Sequence, residues 1–178
     1  MAKFGIDESL IFRPVGLAIL TVSDTRTEAN DTSGDILVER LETAGHYLAA
    51  REILKDDKAR IQDQIKDWTA REDIQVIIST GGTGLTGRDV TVEAMRPLFD
   101  KEIDGFSVVF HMVSYGTVGL STLQSRACAG LIGDTFVFCL PGSNGAVKDG
   151  WDKVIRDQLD SRHRPCNFVD LMPRLNER

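Results

Sequence analysis

Short, nearly continuous apolar runs recur along the chain and predict buried strands. They lie at Val15–Val22, Ile74–Ser79 and Thr135–Leu140, and a further strand is predicted at His46–Leu54. Brief runs without polar alternation are typical of strands that are buried on both faces of a sheet. The pattern therefore predicts a sheet that is covered on both sides.

The segments between these strands carry apolar residues at helical spacing. The first predicted helix follows a polar loop in which Asp31, Thr32 and Ser33 are available as caps, and Gly45 ends it. Pro97 must kink or shorten the helix that follows a glycine-rich segment. The apolar positions of the predicted helices are Ile36, Leu37, Leu41 and Ala44; Ile61, Ile65 and Trp68; Val92, Met95, Leu98 and Phe99; and Val147, Trp151, Val154, Ile155 and Leu159.

The alternation of strands and helices predicts an α/β fold: a three-layer α/β/α single domain with a mostly parallel sheet. The 178 residues are about the size of one domain, and no linker or repeat divides them. We expect the domain to span residues 1–178, with a core at about 14–160. The segment 161–178 is expected to be an extended C-terminal tail with little regular structure, and Phe106–Leu120 is ambiguous between helix and strand.

Composition narrows the class of protein. The net charge of −6 argues against nucleic-acid binding, which needs a basic surface. No apolar run approaches the roughly 18 residues of a membrane span. Cys128, Cys139 and Cys166 are scattered and form no C-x-x-C, so we expect reduced thiols in a cytoplasmic protein without a zinc site. A small anionic ligand remains compatible with this charge, because backbone N–H groups can bind it locally.

The segment "VIISTGGTGLTGRDVT", Val76–Thr91, is the strongest candidate for such a site. A buried strand ends in a turn with four glycines in seven residues, and a helix follows. This arrangement directs backbone N–H groups and the positive end of a helix dipole toward one point, which suits an anion. Alternatively, the glycines only permit left-handed turn geometry.

The segment resembles the sequence patterns of two known phosphate-binding loops, but neither pattern fits its context. A dinucleotide fingerprint belongs on the first strand of its unit, with an acidic residue at the end of the next strand, whereas this loop follows the third predicted strand. A P-loop needs Lys and a hydroxyl where Arg88 and Asp89 stand. Arg88 offers a planar fork to phosphate, and Asp89 offers a carboxylate to Mg²⁺, with capping of the helix as the alternative role for Asp89.

Further candidate residues follow the other predicted strands. Ser23-Asp24 ends the first strand, and Pro141-Gly142-Ser143 is a second turn between a strand and a helix, in which Ser143 is either a ligand contact or an N-cap. Ser125-Arg126 offers a phosphate contact, with a surface ion pair as the alternative for Arg126. The carboxyl ends of parallel strands share one edge of a sheet, where ligands bind in open α/β folds.

Six motifs in order resemble the MoaB/MogA family of molybdenum-cofactor biosynthesis proteins. The most specific is "VIISTGGTGLTGRDVTVEA", Val76–Ala94. The resemblance runs from about residue 14 to the tail, and the ending "RPCNF" is closer to the MoaB branch. The other motifs are "VSDTR" (Val22–Arg26), "DTSGD" (Asp31–Asp35), "STLQSRA" (Ser121–Ala127), "PGSNGA" (Pro141–Ala146) and "RPCNF" (Arg164–Phe168).

This resemblance implies that the chain binds molybdopterin and transfers AMP to it from ATP with Mg²⁺, releasing pyrophosphate. It implies that Asp56 and Asp89 are catalytic and hold Mg²⁺, although Asp56 and Asp57 would also be ordinary in the first turn of a helix. It further implies a homotrimer or hexamer. The residues expected to bind substrate or nucleotide are Ser23, Asp24, Thr80, Gly81, Gly82, Thr83, Gly84, Arg88, Ser125, Arg126, Pro141, Gly142 and Ser143.

The chain departs from the family pattern after the glycine loop. In "DGFSVVFH", Asp104–His111, Val108 stands where Glu is usual and His111 where Arg is usual. Val offers no hydrogen-bond acceptor, and His is a weaker, pH-dependent substitute for a guanidinium. Three hypotheses follow: a molybdopterin adenylyltransferase, a non-catalytic molybdopterin-binding or assembly protein of the same pathway, and an unrelated dinucleotide-dependent enzyme.

Overall fold

The structure is a computed structural model that describes residues 4–175 and 177. The outermost ends of the predicted domain, residues 1–3, 176 and 178, lie outside the described residues. The strands are β1 (Gly5–Ile6), β2 (Gly16–Val22), β3 (Tyr47–Leu54), β4 (Val76–Thr80), β5 (Lys101–Glu102), β6 (Cys128–Ile132), β7 (Thr135–Leu140) and β8 (His163–Arg164). The helices are α1 (Thr32–Thr43), α2 (Lys58–Thr69), α3 (Thr91–Met95), α4 (Asp104–Val118), α5 (Asn144–Gly150) and α6 (Arg156–Leu159).

Six of these strands form one sheet in the order β3-β2-β4-β7-β6-β5. The neighbours from β3 to β7 are parallel, and β6 runs antiparallel to both β7 and β5. The predicted α/β fold with a mostly parallel sheet is therefore confirmed. The carboxyl ends of β2, β4 and β7 meet at one edge.

Each face of the sheet is covered by its own hydrophobic core. Leu17 and Ile19 of β2 pack in a cluster with α1, α4 and the α5 region, which includes Trp151. Ala18 and Leu20 point to the opposite cluster, which includes Ile61 and other residues of α2 and α3. Successive side chains of a strand alternate between faces, so a strand that is apolar throughout feeds both cores. Each cluster lies between the sheet and the helices on one of its faces, which gives the three predicted layers.

Asp31 fixes the start of α1 against the sheet. Its side chain accepts a hydrogen bond from the backbone N–H of Gly34 at 3.1 Å, from the Thr21 hydroxyl at 2.7 Å and from Arg51 at 2.9 Å. Burial acts to raise the pKa of Asp31, but its hydrogen bonds with Arg51 and Thr21 bring the pKa below its ordinary value. One buried carboxylate thus joins β2, β3 and the first turn of α1.

The structure decides one ambiguous segment and contains a strand that the pattern did not predict. The ambiguous segment Phe106–Leu120 is helical, as α4 followed by a 3₁₀-helix at Gly119–Gln124. Strand β6 was not predicted; it contains Ala129 and Gly130, which weaken a strand signal. The expected effect of Pro97 is confirmed, because α3 ends at Met95 and a 3₁₀-turn follows.

The segment after Asp160 contains a short strand and packs against the core. β8 pairs antiparallel with β1. The Phe168 ring lies 4.8 Å from the Phe136 ring and 5.8 Å from the Phe138 ring, measured between centroids. The Asn167 amide, which is buried, donates to the carbonyl oxygens of Ser161 and His163. The tail is therefore tied into the core by an aromatic contact and a buried amide.

One helical segment of the described residues, Asp104–Gln124, is long and apolar enough by length and composition to cross a membrane. Its mean hydropathy reaches 1.3, and only 22% of the window is buried. The sequence pattern did not indicate this candidate, because Ser, Gly and Thr interrupt the apolar run without adding charge. A single such helix is weak support for a membrane span, since core helices of soluble proteins meet the same criteria.

Candidate functional site

A cleft of about 400 Å³ opens at the carboxyl ends of β2, β4 and β7. The chain leaves β2 for β3 on one side and returns to β4 on the other, so the cleft lies at a switch point of the sheet, where open α/β folds bind ligands. The lining residues are Thr21, Val22, Ser23, Arg26, Ser33, Asp56, Thr80, Gly81, Gly82, Thr83, Gly84, Asp89, Ser125, Pro141, Gly142 and Ser143.

The glycine loop needs glycine at its first two positions. Gly81 and Gly82 have φ angles of +98° and +62°, in the left-handed region that favours glycine. A Cβ on Gly82 would lie 2.6 Å from Asp56 Oδ1 and would also clash with Thr91. Thr91 secures this turn, because its hydroxyl donates to the Gly81 carbonyl and its backbone N–H donates to the Gly82 carbonyl, both at 2.9 Å. The left-handed turn and the narrow approach to Asp56 are thus both present.

Only part of the loop offers free amides to a ligand. The Gly81 N–H donates to the Leu140 carbonyl at 3.0 Å, and a hydrogen bond from the Gly84 N–H helps to lower the pKa of Asp89. Within the described chain, the amides of Gly82 and Thr83 have no protein acceptor. Of the amides expected to contact a phosphate over Gly81–Gly84, those of Gly82 and Thr83 are therefore the ones left available.

The two carboxylates that line this cleft have opposite electrostatic environments. Burial, followed by the negative charges of Asp24 and Asp89, raises the pKa of Asp56. The Thr86 hydroxyl, followed by the Thr86 and Gly84 amides, lowers the pKa of Asp89. Asp89 is therefore a fixed anion, and Asp56 carries a charge that its surroundings oppose. Perturbed acids in a cleft are typical of functional sites.

The carboxylates of Asp56 and Asp89 are suited to binding a divalent cation. Asp56 Oδ1 is buried and has no hydrogen-bond partner, which is costly for a carboxylate oxygen. Among the described residues, no three His, Cys, Asp or Glu side chains are grouped as a complete metal site. Mg²⁺ commonly uses one or two carboxylates together with substrate phosphates, so Asp56 and Asp89 are a suitable partial ligand set.

Neither aspartate is a helix cap in the structure. Asp57, not Asp56, caps α2 by accepting from the N–H groups of Ala59 and Arg60. The residue at the N-cap of α3 is Val90, and Asp89 instead accepts from the Thr86 hydroxyl at 2.6 Å and the Thr86 amide at 2.9 Å. Asp57 therefore has the capping role at α2, whereas Val90 occupies the cap position of α3 without a side-chain hydrogen bond.

The second loop, Pro141–Ser143, packs against the glycine loop. The Thr80 hydroxyl donates to the Pro141 carbonyl at 3.2 Å, and a Cβ on Gly142 would lie 3.1 Å from the Gly81 Cα. The Ser143 hydroxyl accepts from the Ala146 amide at 3.1 Å and caps α5. Ser143 thus has the capping role and also lines the cleft.

Three predicted site residues do not line the cleft. Arg88 forms an ion pair with Asp24, which lies in an adjoining cleft of about 510 Å³. Arg126 directs its guanidinium to Glu93 and to the carbonyl oxygens of Thr83 and Gly84, both at 3.1 Å. These side chains border the site from outside, whereas Ser125 lines it.

Sequence reasoning missed four residues that line the cleft, Thr21, Val22, Arg26 and Ser33. Arg26 and Ser23 also line the adjoining cleft, so these two residues connect the two spaces. The signal for Arg26 was present in the motif "VSDTR". Arg26 is half-buried, and its side chain donates to the Asn30 carbonyl.

The fold and the cleft define an α/β protein with a glycine-rich, carboxylate-lined cleft at the strand ends. A family model described as "Probable molybdopterin binding domain" matches residues 18–161. The molybdenum cofactor biosynthesis protein B of Escherichia coli K12 is 48% identical over 157 residues, covering 88% of this chain and 92% of that protein. The chain belongs to the MoaB/MogA molybdenum-cofactor biosynthesis family.

Solved structures agree with this assignment. A crystal structure of a molybdenum cofactor biosynthesis protein B matches with a TM-score of 0.84 and 42% identity, covering 93% of this chain and 98% of that one. The tungsten cofactor synthesizing protein MoaB from Pyrococcus furiosus matches with a TM-score of 0.71 and 36% identity, covering 79% and 89%. The similarity to the MoaB branch confirms what the motifs indicated.

Proposed function

We propose that the protein is a molybdopterin adenylyltransferase, which joins AMP from Mg-ATP to the molybdopterin phosphate. The observation that carries the proposal is the pair Asp56 and Asp89 beside the free amides of the glycine loop. An oxygen of the molybdopterin phosphate forms a bond to the α-phosphorus of ATP. The bond from that phosphorus to the bridging oxygen of the β-phosphate breaks, and pyrophosphate leaves.

This chemistry asks the protein for positioning and charge neutralisation. The attacking phosphate oxygen already carries its charge, so no general base is required, in keeping with a lining that contains no histidine among the described residues. The Gly82 and Thr83 amides are suited to a phosphate oxygen, and Asp56 and Asp89 would hold Mg²⁺. When bound, Mg²⁺ neutralises charge on the phosphates.

The adjoining clefts suit a reaction with two substrates. The first, around the glycine loop, is the phosphate site of the proposal. The second has Arg26, Arg51 and Lys55 on its walls together with Asp24, Glu28 and Glu52, and it shares Ser23 and Arg26 with the first. One substrate in each cleft would bring their phosphates together at the shared wall. The cytoplasmic setting expected from the cysteines is part of the proposal.

The experiment is to mix the pure protein with molybdopterin, ATP and Mg²⁺ and to detect pyrophosphate and adenylylated pterin by mass spectrometry. We expect both products in equal amounts. Tight pterin binding without product would favour the non-catalytic binding or assembly protein. Micromolar NAD binding without pterin binding would instead favour the dinucleotide-dependent enzyme.

The proposal includes self-association through the exposed face of α4 and the 3₁₀-helix after it. No Asp, Glu, Lys or Arg occurs between Gly105 and Ser125. A membrane surface is therefore a poor occupant, because helices that lie on a membrane carry Lys and Arg on their polar face. The exposed residues are Val108, Val109, Met112, Tyr115, Val118, Leu120 and Leu123.

A second copy is the occupant we propose for this face, as the family resemblance implies a trimer or hexamer. Light scattering should report a trimer or hexamer for the unmodified chain. Met112→Lys and Leu123→Lys should lower the mass, because a charge in a buried apolar interface is costly. Glu39→Lys, on the exposed side of α1, is the control. A monomeric unmodified chain would contradict the proposal.

A further inference from the structure

His111 connects α4 to the wall of the cleft. Its Nδ1 lies 2.7 Å from the Ser107 carbonyl oxygen, within the same helix, and its Nε2 lies 3.1 Å from the Ser125 carbonyl oxygen. The ring is half-buried and packs edge-on against Phe110, with centroids 5.5 Å apart. His111 therefore faces the protein, away from the exposed apolar face of α4, and holds the backbone just before Arg126.

Arg126 continues this connection to the glycine loop. Its backbone N–H donates to the Thr83 carbonyl at 3.0 Å. Its Nε donates to the carbonyl oxygens of Thr83 and Gly84, and one terminal nitrogen lies 3.4 Å from the Asp89 carbonyl oxygen. The other side of the guanidinium pairs with Glu93 on α3. The ion pair raises the pKa of Arg126 and lowers that of Glu93, so both remain charged.

These contacts all lie on the carbonyl side of the loop. A peptide unit whose carbonyl is held from behind presents its N–H to the opposite side. The Thr83 and Gly84 carbonyls belong to the peptide units of the Gly84 and Leu85 amides, so Arg126 fixes the second half of the loop, in which the Gly84 amide bonds to Asp89. The Gly82 and Thr83 amides, which have no protein acceptor within the described chain, belong to the units of the Gly81 and Gly82 carbonyls, and Thr91 holds these. The arrangement presets the loop for an anion instead of contributing a cation to it.

We propose that His111 and Arg126 are positioning residues, which hold the loop Gly81–Asp89 in its phosphate-binding conformation from outside the cleft. At this departure from the family pattern, His111 places Nε2 within hydrogen-bonding distance of the Ser125 carbonyl oxygen. Val108 lies on the exposed face of α4 and plays no part in these contacts with the loop. The proposal rests on the proposed function only for its kinetic consequence, since the loop conformation is measurable without turnover.

The test is amide hydrogen exchange, measured by mass spectrometry, in peptides that cover Gly81–Asp89. His111→Phe keeps an aromatic ring but removes the donor, and His111→Gln restores one N–H donor. Arg126→Lys keeps the charge opposite Glu93 but removes the Nε contact with the loop carbonyls. Arg96→Lys is the matched control, because Arg96 pairs with Glu102 at 2.9 Å without touching the loop.

We expect exchange in the loop peptides to rise at least ~10-fold in His111→Phe and Arg126→Lys, with His111→Gln and Arg96→Lys close to the unmodified chain. Exchange in β2 and α2 should not change. Unchanged loop exchange in both variants would overturn the proposal. An equal rise throughout the molecule would also overturn it, because the residues would then support global stability alone.

Kinetics supply a second readout if the unmodified chain forms product. A loop that loses its preset geometry should lower kcat by on the order of 10-fold to 100-fold, with the molybdopterin Kd changed less than about threefold. A loss confined to Kd would overturn the positioning role. If no product forms at all, the proposed function fails, and the exchange measurement still decides the inference.

Discussion

Replacing Asp56 by Asn should stabilise the metal-free protein. The Asp56 carboxylate has one buried oxygen without a partner, and its pKa is raised by burial and by the charges of Asp24 and Asp89. A neutral amide of the same shape removes this repulsion. Because the residue is partly exposed, solvent screening limits the gain, which we put at about 1 kcal/mol, or about 2–4 °C in Tm for a domain of this size.

The pH dependence of this effect follows from the sign of the pKa shift. The folded pKa lies above the unfolded one, so ionising Asp56 costs stability at neutral pH. As the pH falls to about 4 and below, both states become protonated and the advantage of Asn disappears. Mg²⁺ should reverse the order, since a ligand at 10 times its Kd adds about 1.4 kcal/mol to the unmodified chain alone.

The assay is urea unfolding at pH 7.5 and pH 4, with and without Mg²⁺, at one protein concentration. Asp57→Asn is the matched control, because Asp57 caps α2 and Asn caps helices equally well. We expect no change in that variant. The reasoning would be refuted if Asp56→Asn lost stability without metal, or if Mg²⁺ stabilised both chains equally.

Three further predictions concern the core, the loop and the tail. Burial lowers the pKa of His46 to about 4. Unfolding restores the ordinary pKa, so the free energy of unfolding should be about 2 kcal/mol lower at pH 5 than at neutral pH. Urea unfolding of His46→Gln should show no such loss of stability between these pH values. Gly82→Ala should cost about 1–3 kcal/mol in thermal unfolding, because of its positive φ and the clash with Asp56, whereas Gly105→Ala, with open space, should not. Phe168→Ala should cost about 2 kcal/mol in urea unfolding, as a half-buried ring leaves Phe136; a cost below 0.5 kcal/mol would mean that the tail does not stabilise the core.

The parts of the fold that sequence predicts are those in which burial and period agree. Strands β2, β4 and β7 are buried at every position, and their apolar runs predicted them. Helix α4 was ambiguous because its apolar residues lie on its exposed face as well as its buried one. The two-residue strands β1, β5 and β8 are too short to show a period, and they depend on partners distant in sequence.

The candidate site was predictable as a location but not as a hydrogen-bond network. The strand-end motifs led to the cleft that Asp56 and Asp89 line. The capture of the Gly81 amide by Leu140 depends on β7, which approaches only in the folded chain. The same holds for Arg126, whose contacts with Thr83 and Gly84 span more than forty residues of sequence. From the sequence alone, the arginine side chain of Arg126 suited a phosphate contact as well as an ion pair.

The measurement that tests the central claim most directly compares Asp89→Asn with the unmodified chain for adenylyl transfer and for molybdopterin binding. The Asn side chain keeps the shape beside Thr86 and removes the charge that would hold Mg²⁺. The account predicts that adenylylated molybdopterin forms at least ~100-fold more slowly, while the pterin Kd stays within about threefold. Turnover in Asp89→Asn equal to that of the unmodified chain would contradict it.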